Sequence, residues 1–114
     1  MTSLELAKKS AKILDDKKGI DIKVVYIKDI SILSDYLVIV TGTSSTHVKS
    51  LAEETEAKLK DLGVAPYQIE GHRSNSWILL DYGSVIIHVF SEETREFYNL
   101  EKLWKDGQEI EIDL

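Results

Sequence analysis

The sequence contains no cysteine, a single proline and no long hydrophobic run. Without cysteine the chain can form neither a disulfide framework nor a thiolate metal site, which is typical of proteins from a reducing compartment. Apolar segments such as 36–40, the longest, and 85–87 are far shorter than a membrane span requires. The first residues are polar and charged rather than a basic segment followed by an apolar one, so no secretory signal is predicted. We therefore expect a cytoplasmic protein that makes no membrane contact.

The composition is that of an ordinary globular domain. The chain has 114 residues, of which 43% are hydrophobic and 30% are charged. These fractions are close to the averages for folded domains, and the length is sufficient to bury a core without covalent cross-links. No repeat, low-complexity tract or linker interrupts the chain. The sequence predicts one domain that spans residues 1–114.

The net charge of −6 is unevenly distributed. Residues 1–28 carry seven lysines and four acids, whereas residues 29–114 carry seven basic residues and sixteen acids. Nucleic-acid binders usually need a basic surface, because neutralising phosphates supplies much of their affinity. An acidic body is better suited to a basic protein partner, although solubility alone would also explain it.

Hydrophobic periodicity and turn residues predict an α/β fold. A first helix begins at Thr2 or Ser3, where a hydroxyl can cap it, and Gly19 follows its end. The segment 36–40 is apolar without alternation, as in a strand buried on both faces. The predicted architecture is a mixed sheet of about five strands flanked by helices. The predicted helices are 2–17, 46–62 and a last helix capped by Ser91 that breaks near Asn99; the predicted strands are 22–27, 36–40, 67–70, 77–80, 85–90 and an edge strand in 109–114.

The segment Thr41-Gly42-Thr43-Ser44-Ser45 lies between a strand and a helix. Backbone amides at a helix start can bind an anion, and nucleotidyltransferase-like enzymes use such a turn for phosphate. Those enzymes also need paired carboxylates on an adjacent strand to hold magnesium. Glu54 and Glu56 have this spacing but lie in the predicted second helix, and outside that helix the spacing occurs only in the tail, at 109–113. Helix capping therefore explains the turn better than phosphate transfer does.

Metal binding and nucleophilic catalysis find little support in the sequence. The three histidines, His47, His72 and His88, share no ligand spacing. The Gly-x-Ser-x-Gly arrangement of a serine nucleophile is absent. No cofactor, metal or enzymatic activity is predicted.

The segment 77–104 is the predicted contact surface for a macromolecule. Strand alternation places Trp77 and Asp81 on one face of their strand, and His88 among apolar neighbours of the next, where a hydrogen-bonded structural role is favoured. Arg95 and Tyr98 are three residues apart, so a helix presents them on the same face. Tryptophan, tyrosine and arginine often dominate binding energy. Phe97, Leu100 and Trp104 have the spacing of an inward-facing stripe, whereas Trp77, Tyr82, Arg95 and Tyr98 are expected to be at least partly exposed. The predicted contact set is Trp77, Asp81, Tyr82, His88, Arg95 and Tyr98.

These segments together resemble the signature of the ribosomal silencing factor family, also called the Iojap family. The resemblance is carried by Trp-Ile-Leu-Leu-Asp-Tyr-Gly at 77–83, Val-Ile-Ile-His-Val-Phe at 85–90 and Arg-Glu-Phe-Tyr-Asn-Leu-Glu-Lys-Leu-Trp at 95–104. Asp-Ile-Ser at 29–31, Ser-Asp-Tyr at 34–36, Gly-Thr-Ser at 42–44 and Gly71 extend it over nearly the whole chain.

The resemblance implies a nucleotidyltransferase-like fold that lacks the catalytic carboxylates. It also implies binding to the large ribosomal subunit through its universal ribosomal protein fourteen, which blocks joining of the small subunit and represses translation under nutrient limitation. A large-subunit assembly factor that uses the same surface is the alternative, and a residual nucleotide-binding enzyme is a weaker one. A homodimer in isolation is expected. A minor contact of the lysines at 8, 9 and 12 with ribosomal RNA is left open.

Overall fold

Six strands and four helices make up the protein in a computed structural model, which describes residues 1–114 except the side chain of Leu103. The elements are α1 (Ser3–Asp16), β1 (Ile20–Tyr26), β2 (Tyr36–Gly42), α2 (Ser45–Asp61), β3 (Gln68–Glu70), β4 (Trp77–Asp81), β5 (Val85–Ser91), α3 (Glu92–Tyr98), α4 (Leu100–Leu103) and β6 (Gln108–Ile110). None of the described helices is both long enough and apolar enough to cross a bilayer.

The strands form one mixed sheet in the order β3-β4-β5-β2-β1-β6. The central strands β2 and β5 are parallel, and every other neighbouring pair is antiparallel. The prediction of a mixed α/β sheet is therefore confirmed, with six strands rather than about five. The additional strand comes from the tail, where β6 pairs with β1 between Val24 and Tyr26. It begins one residue before the predicted edge strand and ends at Ile110.

Helix α1 has the start that its sequence predicts and an unexpected end. Thr2 and Glu5 form a reciprocal capping box at its first turn. The left-handed residue after the helix is Lys18, with φ 64°, rather than Gly19. Gly19 is needed for another reason, because a Cβ there would lie 2.5 Å from Cγ2 of Val40. The glycine therefore allows the helix end to approach β2 closely.

Helices α1 and α2 cover one face of the sheet and enclose the larger core. Strand β2 is buried from Leu37 to Gly42, as its continuous apolar sequence predicted. Successive side chains of β4 and β5 point to opposite faces of the sheet, so that Ile78 and Leu80 meet Val89 and Ile87 beneath α2. Burying large aliphatic side chains of this kind contributes about 1.5–3 kcal/mol each, so this layer supplies most of the hydrophobic stabilisation.

The opposite face carries a smaller core beneath α3 and α4. Its buried side chains are Val25, Ile27, Leu37, Ile39 and Phe90, and the half-buried Trp77, Ile86, Leu100 and Trp104 pack against them. The two short helices leave part of this face accessible, because Trp77, Leu79 and Ile86 all remain partly exposed. This side of β4 and β5 therefore carries accessible apolar surface, and the loop between β1 and β2 carries more at Ile30, Ile32 and Leu33.

Candidate docking surface

An aromatic cluster lies where β4, β5 and α3 meet. Trp77 is paired across the ladder with Phe90, and their ring centroids are 5.0 Å apart. The ring centroid of Tyr98 lies 4.9 Å from that of Trp77, and Phe97 meets Tyr98 edge-on at 5.0 Å. We call the exposed part of this cluster, Trp77, Phe97 and Tyr98, the aromatic patch.

Two residues, Ser91 and Asn99, set where α3 begins and ends beside the sheet. Ser91 ends β5 and caps α3, since its hydroxyl accepts a hydrogen bond from the backbone N–H of Thr94 at 3.2 Å. Asn99 has a left-handed backbone, with φ 45°, and ends the helix directly after Tyr98. Asparagine tolerates this conformation better than most residues. The helix is therefore just long enough to place Tyr98 on Trp77.

His88 supports the patch from below in its neutral form. The indole N–H of Trp77 donates a hydrogen bond to Nδ1 of His88 over 3.0 Å, so Nδ1 must be unprotonated. Burial lowers the pKa of His88 from 6.5 to about 4. The histidine ring also stacks on Phe90 with a centroid distance of 5.6 Å. The interpretation of His88 as a hydrogen-bonded structural residue is confirmed, and its hydrogen bond orients Trp77.

The predicted inward stripe is correct for two of its three residues. Leu100 and the half-buried Trp104 pack against the smaller core. Phe97 is 81% exposed, so its predicted burial is wrong. The reason is the break at Asn99, which places Phe97 and Leu100 on different helices. Phe97 instead joins Tyr98, which is 52% exposed, at the surface.

Two predicted contact residues, Tyr82 and Arg95, are buried, so their expected exposure is wrong. Arg95 is 7% exposed and bonds within the protein. Tyr82 is 5% exposed and belongs to the core beneath α1 and α2, because it follows Asp81 and therefore points to the opposite face. Asp81 itself is partly exposed, and its Oδ1 accepts the backbone N–H of Gly83 at 2.8 Å. Trp77, Asp81 and Tyr98 thus remain as the accessible members of the predicted contact set, whereas His88 is buried behind Trp77.

A shallow hollow adjoins the patch on the β3 side. It has a volume of about 320 Å³ and is lined by Glu70, Gly71, Trp77 and Leu79. A Cβ at Gly71 would lie 2.2 Å from the carbonyl oxygen of Trp77, so the glycine lets β3 and β4 approach here. An exposed aromatic ring beside an apolar hollow can accommodate a partner's side chain.

Tyr82→Phe provides a test of the burial of Tyr82. Burial, with a smaller contribution from Glu56, raises the pKa of the Tyr82 hydroxyl to about 12. Among the residues that the structure describes, this hydroxyl has no hydrogen-bond partner. Because an unsatisfied buried hydroxyl is costly, we expect the substitution to leave the free energy of unfolding unchanged or to raise it by about 1 kcal/mol. Urea unfolding measures this, and a loss of stability would show that the hydroxyl is bonded.

The turn at Gly42 has the features of helix capping, as the sequence indicated. The hydroxyl of Ser44 accepts the backbone N–H of His47 at 3.1 Å. The N–H of Thr43, which could face an anion, is instead donated to Nδ1 of His47 at 2.8 Å. A Cβ at Gly42 would lie 2.8 Å from the backbone nitrogen of Val48, so the glycine is explained by close helix packing.

A cavity of about 580 Å³ lies beside this turn, and most of its charged lining residues are acidic. Asp21, Glu92, Glu96 and Glu101 line it together with Arg95. This balance of charge disfavours a polyphosphate ligand. Among the residues that the structure describes, no group of three histidines and carboxylates is arranged to hold a metal ion.

The whole chain matches the family model described as "Ribosomal silencing factor during starvation", over residues 1–114. A ribosomal silencing factor from Halalkalibacterium halodurans is 34% identical over 113 residues, which are 99% of this chain and 97% of that protein. A mouse protein named "Mitochondrial assembly of ribosomal large subunit protein 1" is 37% identical over 81% of this chain and 42% of its own length.

Solved structures show the same fold. The crystal structure of a protein from Chromobacterium violaceum superposes with a TM-score of 0.90 and 35% sequence identity. The match covers 100% of this chain and 94% of that one. With the full-length family match and the identity to curated members, the chain belongs to the ribosomal silencing factor family, in which the Iojap proteins are also found.

Proposed function

We propose that this protein is a non-enzymatic repressor of translation that docks on the large ribosomal subunit. Its aromatic patch contacts ribosomal protein fourteen, and the bound protein blocks joining of the small subunit. The observation that carries the proposal is the full-length match to ribosomal silencing factors, in a fold in which the exposed Phe97 and Tyr98 lie beside Trp77.

The chemistry of the patch favours a protein partner. Tryptophan, tyrosine and phenylalanine supply large contact areas at small cost in side-chain entropy, and they are enriched at the centres of interfaces. Tyr98 and Phe97 are exposed without a covering element in the monomer. Rigid aromatic side chains with support from beneath need little reordering on binding.

The charge around the patch favours a basic partner. Glu92, Glu93 and Glu96 are exposed on α3, and the chain from residue 29 onward carries sixteen acids against seven basic residues. Ribosomal proteins that lie on RNA are generally basic, because they neutralise phosphates. Complementary charge at the rim speeds association and fixes orientation more than it adds affinity.

The size of the domain is sufficient for a steric mechanism. Its extents are 34 × 33 × 26 Å. Intersubunit contacts require close packing, so a folded domain seated on the joining surface leaves no room for the small subunit there. Repression then requires only that the protein stay bound, without a chemical step.

The experiment is light scattering of subunit joining. Large subunits incubated with the protein should fail to join small subunits, and those incubated with Trp77→Ala should join normally. Joining at the same rate and extent with and without saturating protein would contradict the proposal.

The name of the mouse relative supports a role in large-subunit assembly as the second candidate. The two roles differ in the particle that binds. A silencing factor binds mature large subunits, whereas a factor restricted to assembly binds precursor particles and not mature ones. Co-sedimentation with purified mature subunits therefore separates them.

A further inference from the structure

The buried side chain of helix α3 is an arginine rather than an apolar residue. Among residues 92–98, all of which the structure describes, only Arg95 is buried. Seven residues are too few for a helix to be stable by itself in water. The position of α3 therefore depends on what Arg95 and Tyr98 contact.

The guanidinium of Arg95 connects three other elements. Nη1 donates to Oγ1 of Thr41 in β2 over 2.8 Å, and Nε donates to Oε1 of Glu101 in α4. Nη2 lies 3.4 Å from a carboxylate oxygen of Asp21 in β1, which is an ion-pair contact without a hydrogen bond. A buried cation is tolerated only when it is paired and hydrogen-bonded, and the planar fork fixes its direction. These contacts connect α3 to β1, β2 and α4.

We propose that Arg95 is a positioning residue for the aromatic patch. Arg95 and Tyr98 lie three residues apart on α3, so fixing the first fixes the second. Tyr98 then packs on Trp77 at 4.9 Å. The sequence had suggested that Arg95 touches the partner; in this account it acts from beneath, through Tyr98. The inference rests on the proposed docking function for its effect on binding.

Thr41→Val tests the inference without altering the docking face. Thr41 is 7% exposed, and valine removes the acceptor of Nη1 at nearly constant volume. Since hydrogen bonds to charged groups are stronger than neutral ones, we expect binding to large subunits to weaken about tenfold. Thr55→Val is the matched control, because Thr55 is also fully buried and hydrogen-bonded but lies on α2 behind the sheet.

A double-mutant cycle with Tyr98→Ala shows whether Thr41→Val weakens binding through Tyr98. If Arg95 acts through Tyr98, Thr41→Val should change binding by no more than about twofold in the Tyr98→Ala background. Additive losses would overturn the proposal, because they would mean that Thr41 acts on binding independently of Tyr98.

A readout on the free protein does not depend on the ribosome. In a Trp104→Phe background the remaining tryptophan is Trp77, and acrylamide quenching of its fluorescence reports how well Tyr98 covers it. Thr41→Val should increase the quenching constant, and Thr55→Val should not. Unchanged quenching in Thr41→Val would overturn the inference. Absence of binding by the parent protein would instead overturn only the proposed function.

Discussion

Large ribosomal subunits should bind Trp77→Ala about a hundredfold more weakly than the parent protein, a loss of about 3 kcal/mol. Trp77 is the centre of the aromatic patch, since its ring contacts Phe90, His88 and Tyr98. Alanine would remove the ring from the interface and would also remove the surface on which Tyr98 rests. Both losses act on the same small area, as in other interface hot spots.

The comparison of Trp77→Ala with the parent protein requires a control that removes an exposed aromatic side chain outside the patch. Tyr67 is 84% exposed and precedes β3, where its ring packs beside Gly83 rather than on the patch. Tyr67→Ala should therefore bind as the parent does. Urea unfolding of each variant shows whether the protein is folded at the assay temperature. Equal binding by Trp77→Ala and the parent would remove the aromatic patch from the interface.

The free energy of unfolding should fall by about 3 kcal/mol through His88 alone as the pH decreases from 6.5 to 4. Burial lowers the pKa of His88 to about 4 in the folded protein, whereas the unfolded chain has the ordinary value of 6.5. Between these values the unfolded state binds the proton first. The stabilisation is therefore complete above pH 6.5 and is lost progressively as the pH falls toward 4.

Carboxylates also titrate at acidic pH. The contribution of His88 is therefore isolated by comparing the free energy of unfolding of the parent with that of a His88 variant. His88→Gln does not titrate, and its amide oxygen can accept the indole N–H of Trp77. We expect its stability to decrease less than that of the parent between pH 7 and pH 4.5. His72→Gln removes an exposed loop histidine and should follow the parent. Parallel pH profiles for the parent and His88→Gln would show that His88 is not buried as a neutral side chain.

The sheet could be predicted because its strands have distinct patterns. A run such as 36–40, apolar at every position, occurs in a central strand, and alternation in 77–80 correctly separated the Trp77 face from the Ile78 face. The bounds of β6 were harder to predict, because its three residues have a weak sequence pattern and form a strand only by pairing with β1. Its predicted start was therefore displaced by one residue and its predicted end by four.

The candidate site could be predicted only as a region. Residue type suggested that Arg95 and Tyr82 lie at the surface, yet strand alternation applied one residue further would have turned Tyr82 away from Trp77. The burial of Arg95 depends on its contacts with Thr41, Asp21 and Glu101. Thr41 and Asp21 are far from Arg95 in sequence and Glu101 lies on the next helix, so no local pattern indicates these contacts. The exposure of Phe97 follows from the left-handed backbone of Asn99, which ends α3. The sequence suggested a break near Asn99 but not the direction in which the chain turns there.

Site-specific photocross-linking tests the central claim most directly. Phe97 is 81% exposed within the aromatic patch, so a benzoylphenylalanine at this position would face the partner without disturbing the core. The same substitution at Tyr67, which is 84% exposed outside the patch, is the control. On free large subunits, irradiation should join position 97 to ribosomal protein fourteen and leave position 67 unlinked. A cross-link to ribosomal protein fourteen from position 67 instead, or from neither position on saturated subunits, would contradict the account.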